Sequence, residues 1–358
     1  MLFPYQHVPH SMDKMQEYID YIFYEVWCQA PWSKYNISLF DGKPELKEII
    51  ESFHHTEPKG ADFFIKGIQE VFTNFTELNT IDICRFRRWY GYNNDIMSLC
   101  DGIKTTIPVT YDLLRKCFNG KYTVLCGHLE NYFSNLYSDG FLKLEAIASK
   151  IGSKSDHFKS FSKVNIKGKC PFCGIFDMHG ANHTTREAFD HFLPKSKYPF
   201  NSINFKNLPP ACHHCNSSYK TTKDPLTTKT GLRRKAFYPY NANNYSIELD
   251  ITIVTADWNA ISPSEITISV GPTSLMEEIH TWLDLYGIDE RYKAKICCEN
   301  DGQYWLEQVF DEWQGKGEFP DEFMKTLNRN TLKRPFADNN FLKKAFLDGC
   351  NLAGLPAP

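Results

Sequence analysis

No run of about eighteen consecutive apolar residues occurs in this chain, so the sequence offers no segment long enough to cross a bilayer as a helix. The opening stretch MLFPYQHVPHSMDK has no basic cluster followed by an apolar core. A secretory signal is therefore not expected, and the protein is expected in the cytoplasm. Internal repeats and low-complexity tracts are also missing. So is any GxxxxGK[ST] phosphate loop, which excludes a P-loop ATPase within these residues. A large net charge is lacking too, at −3 overall.

An ordinary soluble composition remains, with 42% hydrophobic and 23% charged residues and aromatics on the high side at 15%. A length of 358 residues implies two or three domains. The near-neutral total hides a segregation. Residues 150–240 hold 16 Lys and Arg against 5 Asp and Glu, a net of +11, whereas the rest of the chain nets −14. A basic island of this kind is the electrostatic footprint that phosphate binding requires.

Residues 1–150 read as a mainly helical region. Met15, Ile19, Ile22, Phe23 and Val26 recur at helical spacing, with Ser11 as a cap. Leu46, Ile49, Ile50 and Phe53 form a second stripe, and Phe64, Ile68, Val71, Phe72 and Phe75 a third. The segment Arg85 to Tyr90 mixes cations with aromatics. It suits either a nucleic-acid surface or a helix with one buried aromatic side. The polar, lysine-bearing stretch from Gly152 to Gly168 interrupts this pattern and is expected to enter a new domain, 151–240. In the region 241–358, of mixed α/β character, alternation at Ile247 to Ile253 and at Ile266 to Val270 predicts two strands. Ser274 to Glu277 reads as a capping box. Helices are expected over Tyr304–Trp313, Glu322–Leu327 and Asn340–Cys350.

Of the twelve cysteines, eight lack ligand spacing and read as small buried residues. Cys170 and Cys173 form one Cys-x-x-Cys pair, Cys212 and Cys215 another. Four thiolates can close a tetrahedron around Zn²⁺ and leave no open position for chemistry, so the predicted zinc is structural. A redox role for CPFC needs a helix beginning at its first cysteine, and here Gly174 follows the second. His213 or His214 could replace one sulfur, but two knuckles of this spacing favour all four cysteines.

Between the knuckles lie Asp190 and His191, then Asn207, and, after the last cysteine, Asn216. Phosphodiester hydrolysis needs an activated water and neutralisation of charge on the phosphate. An ion held by an acid and an amide, beside a neutral histidine, supplies both. On an extended strand Asp190 and His191 face opposite sides, and Pro194 with the loop after it supplies a bend. The pattern Asp-His-x-x-Pro-x-Ser, an Asn some sixteen residues later, then Cys-x-x-Cys-Asn-x-x-x-Lys resembles the HNH endonuclease superfamily. That resemblance implies an α+β chain in which a zinc-stapled ββα-metal domain, a β-hairpin and a helix gripping one ion, is flanked by the helical and mixed regions. It implies His191 as general base, Asn207 fixing the loop that orients His191, and Asp190 and Asn216 holding a catalytic Mg²⁺ or Mn²⁺. Asn216 stands where the family often has His, and a hard oxygen ligand favours Mg²⁺. Lys220 is expected to meet the phosphate. Activity is expected to fall below the ordinary imidazole pKa of about 6.5.

The segments DHFLPKSKYP and NLPPACHHCN also resemble HNH subunits of bacterial anti-phage systems, notably the Septu type, which act with an ATPase subunit and also occur as retron effectors. A metal-dependent nuclease acting on DNA, or on tRNA or other RNA, in antiviral defence with a separate ATPase partner is the function these resemblances imply. The competing reading is a non-catalytic zinc adaptor that binds nucleic acid, which explains the basic island and the cysteines without needing Asp190 beside His191.

Overall fold

A computed structural model describes residues 1–118, 120–242, 245–255, 257–316 and 321–355. Helices dominate them, with two small antiparallel sheets. No helix is long and apolar enough to cross a membrane.

The amino-terminal stripes fold as their spacing predicts. Helix Pro44–Thr56 starts on a proline, whose missing N–H costs nothing at a first turn, and buries Leu46, Ile49, Ile50 and Phe53. Helix Asp62–Phe75 packs on helix Thr123–Asn135. Gly67 permits that approach, because a Cβ there would meet the Tyr132 ring at 2.6 Å. Arg85 to Tyr90 lies in helix Thr80–Asn94, which turns Phe86, Trp89 and Tyr90 inward, so the aromatics of that segment serve the core.

Three local expectations are corrected. His10, not Ser11, caps the first helical turn: its ring accepts from Met12 N while Asp13 accepts from His10 N. The polar stretch 152–168 is helical over Lys154–Val164, capped by Ser153, because burying His157, Phe158, Phe161 and Ser162 needs only one apolar side. The Ser274–Glu277 capping box does not form. The helix begins at Met276 without a side-chain cap, and Glu277 accepts instead from Lys235 N.

Two hydrophobic cores result. One is built from the amino-terminal helices, and it also takes in Phe189, Phe200, Ile203, Phe205 and Leu208. The other gathers the four paired cysteines, the strands Glu248–Ile253 and Ile266–Gly271 and the carboxy-terminal helices. The segment 151–240 therefore straddles both cores: Phe200 to Leu208 are embedded in one, and Phe192, Leu193, Tyr198 and the cysteine knuckles in the other.

Candidate functional site

Strand β1 (Ala188–Phe189) pairs antiparallel with β2 (Pro210–Ala211). The ladder is extended by two more bonds, Asp190 N to Pro209 O at 2.9 Å and Phe192 N to Asn207 O at 2.9 Å. A helical turn, His214–Lys220, follows. It is wound wide, since Thr221 N reaches back five residues to Asn216 O at 2.9 Å, the bond of π geometry often found at functional sites. The order is strand, strand, helical turn, with each part very short.

The four paired cysteines are buried, unbridged by disulfides, and their sulfurs all lie within 4.8 Å of one another. Zn–S bonds of ~2.3 Å place tetrahedral sulfurs ~3.8 Å apart. The Cys173–Cys212 separation of 4.0 Å is already close to that. Four soft donors in a closed, buried set match a structural zinc, and no fifth group enters among the described residues. Burial pushes the Cys170 and Cys215 thiols well up. At Cys173 burial is outweighed by hydrogen bonds from the other thiols and by Arg291, which hold it down. Arg291 donates to Cys215 Sγ at 3.3 Å and stacks against the Tyr219 and Phe176 rings. Its charge offsets part of the excess of a four-thiolate site. Trp282 Nε1 donates to Phe172 O at 2.6 Å and the Tyr292 hydroxyl to Cys173 O at 2.9 Å, so the first knuckle is bolted to the carboxy-terminal helices.

His191 leaves the end of β1 half-buried. Its Nε2 lies 2.9 Å from Ser202 O. A carbonyl can only accept, so Nε2 carries the proton and Nδ1 keeps its lone pair. The ring meets the Tyr137 ring edge-on, at 4.8 Å between centroids. Burial first, then the Lys195 ammonium, pushes its pKa from 6.5 to about 3. The ring is therefore neutral well below pH 6.5.

Asn207, wholly buried, accepts from Leu193 N at 2.8 Å and donates to Leu193 O at 3.0 Å. This two-way clamp fixes the chain two residues beyond His191. Asp190 is also buried, and burial raises its carboxyl despite the opposing effect of Lys220. Lys220 departs from expectation. Its ammonium is fully buried, 2.9 Å from Asp190 Oδ1 and 2.8 Å from His191 O, so it cannot face an incoming phosphate. The helical turn points it inward, where it neutralises Asp190 and ties the turn to the strand end. Asp190 Oδ2 is buried without a partner, an orphaned acceptor of the kind a bound cation satisfies. Asn216, partly exposed, lies in the same turn, four residues before Lys220.

His157, His179 and His183 do not join these residues. His157 packs between Phe189 and Phe205, while His179 and His183 stack on each other at 5.0 Å. The motif gave no signal for Ser202, Tyr137, Lys195 or Arg291. Ser202 acts through its backbone, and Arg291 lies 76 residues beyond Cys215.

No family model, no curated protein and no solved structure matches this chain.

Proposed function

We propose that this chain is a metal-dependent endonuclease of the HNH type, hydrolysing phosphodiester bonds in nucleic acid, DNA foremost. The observation that carries the reading is the placing of His191: held by Ser202 O through Nε2, with its Nδ1 lone pair unused. A ring fixed in that way serves as a general base once water stands at Nδ1. Asn207 acts as a positioning residue, since its clamp on Leu193 sets the course of the chain leaving His191. Asp190 through Oδ2, together with Asn216, would hold Mg²⁺ or Mn²⁺, which when bound neutralises charge on the phosphate. The four-cysteine site would hold zinc in a structural role only, because its closed sulfur shell has no open position.

The ion pair from Lys220 to Asp190 favours one other reading, a zinc-dependent nucleic-acid adaptor without catalysis, since that carboxylate already has a cation. Incubation of purified protein with supercoiled plasmid, single-stranded DNA and tRNA, with Mg²⁺ or Mn²⁺ and with EDTA, separates the two. The nuclease reading predicts EDTA-sensitive cleavage of at least one substrate. Binding without cleavage of any of them would establish the adaptor instead. A role in anti-phage defence beside a separate ATPase chain rests on the resemblance of DHFLPKSKYP and NLPPACHHCN alone, and the genes adjoining this one test it.

A further inference from the structure

Two cavities flank the first turns of helix Lys154–Val164, and Ser155 and Arg186 line both. The smaller, of about 190 Å³, is bordered by Lys143, Lys154, Arg186 and Asp139. The larger, of about 420 Å³, is bordered by Lys159, Arg186, His183 and the Thr184 and Thr185 hydroxyl residues, with no carboxylate on its wall among the described residues. Sharing those two residues, the cavities lie side by side as one trough crossed by Ser155 and Arg186. Its cations outnumber its anions, because Asp139 is the single acid and both Lys143 and Lys154 already share it. Arg186, where the cavities meet, has no carboxylate partner among the described residues. Its guanidinium donates to Glu187 O at 2.9 Å and lies over the Phe189 ring at 5.6 Å. Like charges crowded in this way, and partly desolvated, are costly unless an anion joins them.

The trough also leads toward the candidate site. Lys154 Nζ lies 4.0 Å above the Tyr137 ring, and that ring also meets the His191 ring, at 4.8 Å between centroids. Phe189, beneath Arg186, is the last residue of β1 and directly precedes Asp190.

We propose that this trough, running from Lys143 past Arg186 to Lys159, is the track for the phosphodiester backbone of a nucleic-acid strand. Arg186 grips one phosphate between the cavities, and Lys143 and Lys159 meet its neighbours. The hydroxyls of Ser155, Thr184 and Thr185 supply neutral donors to backbone oxygens, contacts that position a strand without reading its bases. Binding does not depend on the nuclease reading, whereas delivery of the strand to His191 rests on it.

The test uses the full chain carrying His191→Ala, so that bound strand is not consumed. Affinity for a fluorescein-labelled single-stranded 20-mer is read by anisotropy at KCl concentrations from about 50 to about 200 mM, a range over which phosphate contacts change affinity strongly. Lys143 and Lys159 are exposed, so Lys143→Gln with Lys159→Gln leaves the fold intact. Adding Arg186→Gln removes the central grip. Removing one phosphate-binding cation lowers the log–log salt slope on a single strand by about 0.7. The double variant is expected to show a slope smaller by about 1.4 and an affinity at least about tenfold weaker at about 100 mM KCl, and the triple variant a larger change in both. Lys59→Gln with Lys66→Gln, the same charge change in the amino-terminal region, is expected to shift affinity less than about twofold. Equal slopes for the track variants and that control would overturn the proposal. Cleavage is scored separately in the chain with His191 intact. A strand bound through the track but never cut would end the nuclease reading and leave the track standing.

Discussion

At the scale of single residues, the candidate site depends on buried polar groups whose partners lie close by. Asn207 is the clearest. Asn207→Ala would strand both backbone groups of Leu193, each worth about 1–3 kcal/mol when buried and unpaired. We expect a fall in stability of about 2–5 kcal/mol by urea denaturation and a loss of cleavage of at least about tenfold. Asn207→Asp, which keeps the acceptor for Leu193 N, should recover part of each. His157 gives a pH signature. Burial holds it near a pKa of about 3, against 6.5 for a free ring, and both its nitrogens are buried without partners. Above pH 6.5 neither folded nor unfolded chain protonates this ring, so its contribution is complete there. As the pH falls from 6.5 toward 3, the unfolded chain takes up a proton that the folded chain refuses, and stability is lost. His157→Phe should therefore make the fall of Tm between about pH 6.5 and about pH 4 shallower than in the parent. Equal slopes would show that the ring is not held neutral. Lys220 marks what could not be read from one sequence. A lysine at the end of a predicted helical turn suggests a phosphate contact, and only its partner thirty residues earlier reveals a buried ion pair.

At the scale of elements, the hairpin is too short to hold itself, and the loop between its strands is anchored elsewhere. Phe200 adopts φ 82°, a conformation that costs a non-glycine residue about 1–3 kcal/mol. Its ring is fully buried beside Phe23, Tyr90 and Phe133, which offsets that cost. Asn93 reinforces the anchor by donating to Pro199 O at 2.9 Å and accepting from Val109 N. Phe200→Ala should lower stability by about 3–5 kcal/mol. It should also reduce cleavage while leaving the zinc content unchanged, because Ser202, the partner of His191, follows two residues later. The cysteine knuckles face the other core. Gly287, at φ 57°, makes room for the Tyr219 ring, which reaches within 2.4 Å of where a Cβ would stand. Helices Met276–Tyr286 and Ile288–Ile296 thus press on the turn that carries Asn216. We expect about one zinc per chain by metal analysis. In Cys212→Ser that zinc should be lost, together with the cooperative melting of the carboxy-terminal core.

At the scale of the whole molecule, the four-cysteine cluster was legible in the sequence and the packing that supports it was hidden. The spacing of Cys170, Cys173, Cys212 and Cys215 foretold their convergence, since paired knuckles need only local geometry. The amino-terminal stripes and the strands around Ile251 and Ile268 were legible for the same reason: their periodicity is local. Invisible was the embedding of the middle segment in two separate cores, which depends on contacts such as Asn93 with Pro199 or Tyr292 with Cys173, a hundred or more residues apart. The charge count located a basic island, but only the fold gathers Lys143, Lys159 and Arg186 along one trough. The central claim is that His191 acts as the base of a phosphodiester hydrolysis, and one paired comparison tests it most directly. Cleavage of the best substrate with Mg²⁺ is measured for the parent and for His191→Ala, alongside zinc content and Tm. The predicted result is a loss of at least about a hundredfold in rate, in keeping with what a general base contributes, with zinc retained and melting little changed. Full cleavage by a folded, zinc-loaded His191→Ala protein would contradict it.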